Sequence, residues 1–168
     1  MHEMVIYGVS FDLVGKQPIV LLKTTEGNKF LPIWIGHPEA AAILMKLQGA
    51  TTPRPMTHDL VTDILGQLDA HVVRITVTEL RESTFYAQIT VQQDGSEVEI
   101  DSRPSDAIAL AIRAEAPIFV ADRVIEESAI EFEGEEVNEE EIVSEFKRFL
   151  DHVSPDEFAV EDEEETEG

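Results

Sequence analysis

Two short stretches combine residue types that can handle a phosphate or a proton. Arg54-Pro55-Met56-Thr57-His58-Asp59-Leu60 and Arg103-Pro104-Ser105-Asp106-Ala107-Ile108 each set a guanidinium, a hydroxyl and a carboxylate at the opening of an apolar-periodic segment. A helix starting there leaves its first N–H groups unbonded, so a cation, an anion and free donors meet in one place. Such a place can hold an anion, position a metal-bound water, or simply cap a helix. Hydrolytic chemistry there would use a base to activate water, positive charge on an anionic substrate, and commonly a divalent ion held by carboxylates. The candidate assignments are His58 as base, Arg54 and Arg103 as phosphate ligands, and Asp59, Asp101 and Asp106 as catalytic carboxylates able to hold Mg²⁺ or Mn²⁺ if the helix starts converge. Glu39, in the first turn of a third helix, is a further carboxylate for the set. The spacing matches no established metal signature.

A structural reading of the same residues stands beside this one. Thr57 and Ser105 can be N-caps, Asp59 and Asp106 favourable first-turn acids, and the two arginines their ion-pair partners. His37 and His71 read as a loop and a strand residue, and His152 lies near the C-terminus. Trp34, in an apolar strand, reads as core rather than as a platform for a base. Phe85 and Tyr86 point to opposite faces of their strand, so at most one can face a ligand.

The elements that must position these groups follow from periodicity. Residues 4–14, 18–23 and 29–35 read as strands, the last two as a hairpin around Thr25-Glu26-Gly27-Asn28. Pro38 suits the first turn of a helix whose apolar positions are Ala40, Ile43, Leu44 and Leu47, with Gly49 placed to end it. A second helix from Thr57 carries Leu60, Val61, Ile64, Leu65 and Leu68. Strands follow over 73–78, 85–91 and 97–101, the last two joined at Asp94-Gly95. A third helix is expected over Pro104–Ala114, then a short strand at 117–121. The predicted class is α+β, mostly antiparallel strands with helices packed on them. Two strand-turn-strand-helix units, with acidic-Gly turns and a proline at each helix start, are expected to share one core.

Charge divides the chain unevenly. The 168 residues carry a formal charge of −23, of which 1–125 hold −6 and 126–168 hold −17. Such acidity opposes unaided binding to a phosphate backbone, so any nucleic-acid role must overcome repulsion locally. With no cysteine, disulfides, thiolate metal sites and cysteine nucleophiles are excluded. The N-terminal residues show no basic-then-apolar leader and no apolar run reaches bilayer length, so a cytoplasmic location without membrane contact is expected. The expected organisation is an α+β domain over 1–130 and an acidic linker over 131–137. An amphipathic helix and docking segment (138–158, with Ile142, Val143, Phe146, Phe149 and Leu150 on one face) and a disordered acidic tail (159–168) follow.

Four ordered motifs carry a family resemblance. Leu31-Pro32-Ile33-Trp34-Ile35-Gly36 with Glu39-Ala40, then Pro53–Leu60, then Thr84-Phe85-Tyr86-Ala87, then Asp101–Leu110 followed by Pro117-Ile118, resemble the bifunctional nuclease (BFN) domain family over residues 4–130. The resemblance implies an α+β domain that self-associates and a nuclease acting on DNA and RNA. It transfers no catalytic residue. Two functions are therefore expected in competition: a metal-assisted nuclease, or a non-catalytic homo-oligomeric module whose 138–158 helix engages a protein partner.

Overall fold

Strands β2 (Gln17–Thr24) and β3 (Lys29–Trp34) owe their continuous apolar sequence to burial on both faces. Val20, Leu22, Leu31 and Ile33 join the main core, whereas Ile19, Leu21 and Phe30 turn to a second cluster closed by Phe132. The computed structural model describes residues 1–12, 15–132 and 148. The expected linker beyond Phe132, the 138–158 docking helix apart from Arg148, and the acidic tail lie outside these residues, whereas Glu131 and Phe132, expected in that linker, form the end of a strand and part of the second cluster.

β1 (His2–Asp12), β2 and β3 form one antiparallel meander, followed by α1 (His37–Leu47) and α2 (Thr57–Gln67). β4 (His71–Arg81), β5 (Thr84–Gln93) and β6 (Ser96–Ser102) form a second, followed by α3 (Pro104–Ala114). β7 (Ile118–Val120) joins the two: it runs parallel to β4 and antiparallel to β1. The resulting sheet has eight strands in the order β6-β5-β4-β7-β1-β2-β3-β8, with α4 (Asp122–Ser128) and β8 (Ile130–Glu131) completing the described chain. The class is α+β, as expected. α4 and β8 are absent from the sequence reading, being too short for a periodic signal.

Local chemistry explains the element ends that matter. Asp94 and Gly95 take φ of 49° and 76°, the left-handed pair that a two-residue hairpin turn demands. Gly49, with φ 67°, ends α1. Pro104 occupies the first turn of α3, where its missing N–H costs nothing, and that makes Arg103 the N-cap. Ser105 is thus one turn position inside the helix and buried, and Met56 rather than Thr57 caps α2. At α3 Pro104 fixes φ at the first helical position, and at α2 the Met56 N–H is met by Asp59 Oδ2, so each cap falls before its hydroxyl residue.

α3 is the central helix. Ala107, Ala109 and Ala111 are buried, and their small side chains let α1 and the sheet approach closely around Ile108. α2 is held less completely. Val61 and Leu65 pack on the core, but Leu60, Ile64 and Leu68 are exposed, so only two of the five residues of the apolar face read from the sequence are covered.

Candidate active site

The helix starts do converge. His58, in the first turn of α2, is only 8% exposed, and its Nε2 lies 2.8 Å from Asp106 Oδ1 on α3. A carboxylate can only accept, so Nε2 carries the proton and Nδ1 is left as the basic nitrogen. Arg103 closes the other side of Asp106, its Nε donating to Oδ2 at 2.9 Å. Its Nη2 reaches Glu39 Oε1 on α1 at 2.8 Å. The Asp106 carboxylate, followed by that of Glu39, holds the guanidinium above its ordinary range of proton affinity. Gly36 makes room for this arrangement: a Cβ there would stand 2.3 Å from Glu39 Oε2.

A second ion pair lies alongside. Arg113, at the last turn of α3, donates from Nε to Asp59 Oδ1 at 2.7 Å. Its Nη1 donates to the Ala109 carbonyl at 2.8 Å and its Nη2 to the Ala42 carbonyl at 3.0 Å, tying α1, α2 and α3 together. Asp59 Oδ2 accepts the Met56 N–H at 3.0 Å. The Arg113 hydrogen bond and then the Met56 N–H hold the Asp59 carboxyl below the usual carboxylate range.

These groups line an open groove of about 880 Å³ between α1, α2 and the loop joining them. Its cations are Lys46, Arg54, Arg103 and Arg113, and its anions Glu39, Asp59, Asp63 and Asp106. With His58 neutral the groove is therefore balanced on a chain of charge −23. Lys46 and Arg54 are exposed and form no ion pair among the described residues. Of the residues predicted from sequence, His58, Asp59, Asp106, Arg54 and Arg103 come together here. Asp101 does not: it is an exposed residue of edge strand β6, opposite Gln88, and is absent from the groove lining. The expected Asp59–Asp101–Asp106 set is thus not assembled, and among the described residues no three acidic or imidazole side chains gather as a cation site. Arg113 and Lys46 were missed by the sequence reading. The spacing Asp106, Leu110, Arg113 on one face of α3 was the available signal for the first.

The model of the bifunctional nuclease domain matches residues 20–133, which contain every residue of the groove. The chain belongs to the bifunctional nuclease domain family. An uncharacterized protein of Mycobacterium tuberculosis (strain ATCC 25618 / H37Rv) is 37% identical over 164 residues, covering 94% of this chain and 98% of that protein. "Bifunctional nuclease 1" of Oryza sativa subsp. japonica is 28% identical over 109 residues, 62% of this chain and 33% of that protein. "Bifunctional nuclease 1" of Arabidopsis thaliana is 27% identical over 107 residues, 61% of this chain and 33% of that one. The similarity to the plant proteins thus spans one third of their length. Among the described residues no helix is long and apolar enough to cross a membrane.

Proposed function

We propose that the chain hydrolyses phosphodiester bonds of DNA and RNA in the α1–α2–α3 groove. The observation that carries this reading is the His58–Asp106–Arg103 arrangement at its wall. Asp106 accepts the hydrogen bond from Nε2–H and orients the ring, so Nδ1 removes a proton from water. The water oxygen bonds to phosphorus, the bond to the leaving oxygen breaks, and that oxygen takes a proton from solvent. Lys46 and Arg54 neutralise the bound phosphate. Arg103 keeps the N–H groups of Nη1 outside the bonds to Asp106 and Glu39, available for the charge that develops in the transition state.

A divalent ion was the sequence expectation, and the side chains fit one poorly. The Arg103 guanidinium joins Glu39 to Asp106, the position a bridging cation would take, and each Asp59 oxygen already has a donor. No step is routed through a metal. The test is cleavage of single- and double-stranded DNA and RNA by highly purified protein, with Mg²⁺, Mn²⁺ or EDTA, beside Asp106→Asn. Cleavage is expected to persist in EDTA within about twofold, and to fall about a hundredfold or more in Asp106→Asn, because the amide no longer fixes the ring's tautomer. Failure of the parent to cleave any substrate under every condition would sink the nuclease reading. Strict metal dependence would sink only its metal-free form.

A second role is favoured by exposed apolar surface. Leu60 and Ile64 on α2 and Leu68 at its C-cap follow one another, and Val98 and Ile100 are uncovered on the edge strand β6, whose outer backbone groups have no neighbouring strand among the described residues. Such surface is characteristic of contacts between chains. We propose that it meets a second copy, and Ile64→Glu is expected to shift the chain toward monomer in sedimentation velocity. An unchanged oligomer distribution, or a parent that is already monomeric, would refute this.

A further inference from the structure

A second, smaller cavity of about 230 Å³ lies on the other side of Arg103. It opens between the end of β3 and the β4–β5 turn, and its lining includes Gln17, Trp34, Ser83, Thr84, Phe85 and Arg103. Trp34 rests on the second cluster of the sheet and Phe85 on the main core, so both rings are backed by packed side chains and each is only partly buried. The turn that brings Ser83 and Thr84 to the rim is held by left-handed backbone at Glu82 and Ser83, with φ of 48° and 60°. The sequence reading placed Trp34 in the core. It misses the cavity because the β4–β5 turn is some 50 residues away in the chain and approaches only once the sheet curls.

From this arrangement we infer that the cavity is a nucleobase subsite, taking the base attached to the phosphate held at Arg103. The inference rests on the nuclease reading for the identity of that phosphate. Three observations carry it. Arg103 lines both spaces, so the residue that would meet the phosphate in the groove also borders the cavity. The cavity is smaller than the roughly 300–1,000 Å³ of clefts that enclose a whole drug-sized ligand, which suits one flat ring with its sugar outside. Its lining pairs two aromatic residues with Gln17 and three hydroxyl residues, Ser83, Thr84 and Ser105, the kinds of side chain that stack on a base and meet its polar edge. Stacking accepts every base, in keeping with a subsite that does not select sequence.

Trp34 is the only tryptophan of the chain, so its fluorescence reports on the cavity without a label. The full chain is titrated with deoxyadenosine 5′-monophosphate and, separately, with deoxyribose 5-phosphate, each corrected against free tryptophan. Saturable quenching by the nucleotide and none by the base-free sugar phosphate is expected. Phe85→Leu is expected to weaken the nucleotide about tenfold, the order of one lost aromatic contact. Should that variant fail to fold, Gln17→Ala, on a partly exposed strand end, is expected to weaken it several-fold. Equal responses to the two ligands, no response to either, or unchanged affinity in every folded variant would overturn the subsite. Cleavage without base-dependent quenching overturns the subsite and leaves the nuclease intact. Base-dependent quenching in a protein that cleaves nothing retains the subsite and sinks the nuclease reading.

Discussion

His58→Ala is expected to slow cleavage of DNA and RNA about a thousandfold while the fold persists, the middle of the range for loss of a positioned general base. The imidazole bridges α2 and α3 through Asp106, so a purely structural role would also lose something on its removal. Imidazole added to the buffer separates the two. It can enter the open groove and accept a proton from water, so tens of millimolar imidazole is expected to restore rate in His58→Ala and not in Asp106→Asn, where the ring is present but turned. A His58→Ala protein that cleaves at the parent's rate would remove His58 from the chemistry. One that is slow, folded and unrescued would leave it a positioning residue.

Loss of Arg113 is expected to be the most damaging change to stability around the groove. Its side chain is only 7% exposed and satisfies Asp59 and two backbone carbonyls on two helices. Arg113→Met keeps much of the apolar stem but strands all three acceptors, and a cost of about 3 kcal/mol is expected in denaturant unfolding. For a chain of this size that corresponds to a fall in Tm of roughly 6–12 °C. The sign of the pH dependence follows from the Asp59 carboxyl, which is held below its unfolded value. Its contribution is fully present above about pH 4 and is lost as pH falls through the lowered folded value. Because the Asp59 side chain is 38% exposed, solvent screening keeps this part small. The acid-side loss is expected to be shallower in Arg113→Met than in the parent. A variant within about 1 kcal/mol of the parent would show that water replaces the guanidinium at little cost.

The groove also bears on the acidity of the chain. A charge of −23 argues against nucleic-acid binding when averaged over the molecule, yet equal numbers of cations and anions line the groove. Lys46 and Arg54 have no acidic partner among the described residues, whereas Arg103 and Arg113 are each committed to one or two. Phosphate would thus meet its free positive charge on the α1 end and the inter-helix loop. Arg113 holds the site's shape, while Arg103, buttressed by Asp106 and Glu39, also keeps Nη1 outside those bonds.

Much of this was readable from local pattern. The extent of α3, the Asp94-Gly95 hairpin and the Arg103–Asp106 pair depend on residues within a few positions of each other, and proline and glycine dictate their backbone directly. The approach of His58 and Asp106 was legible only as a condition, that the helix starts converge. Other features left no local trace. Glu39 meets Arg103 across 64 positions and Asp59 meets Arg113 across 54. Asp101, grouped with Asp106 because both flank Arg103, stays an exposed residue of edge strand β6, which pairs with β5 before α3 begins. The apolar face of α2 shows the same division: periodicity marks five residues, but the position of α3 decides that Val61 and Leu65 are covered and Leu60, Ile64 and Leu68 are not. Dihedral preference and hydrophobic period act over a few residues and specify elements. Which carboxylate an arginine meets depends on how β7, inserted parallel to β4, brings the two meanders into one sheet, and that is settled by packing over the whole chain.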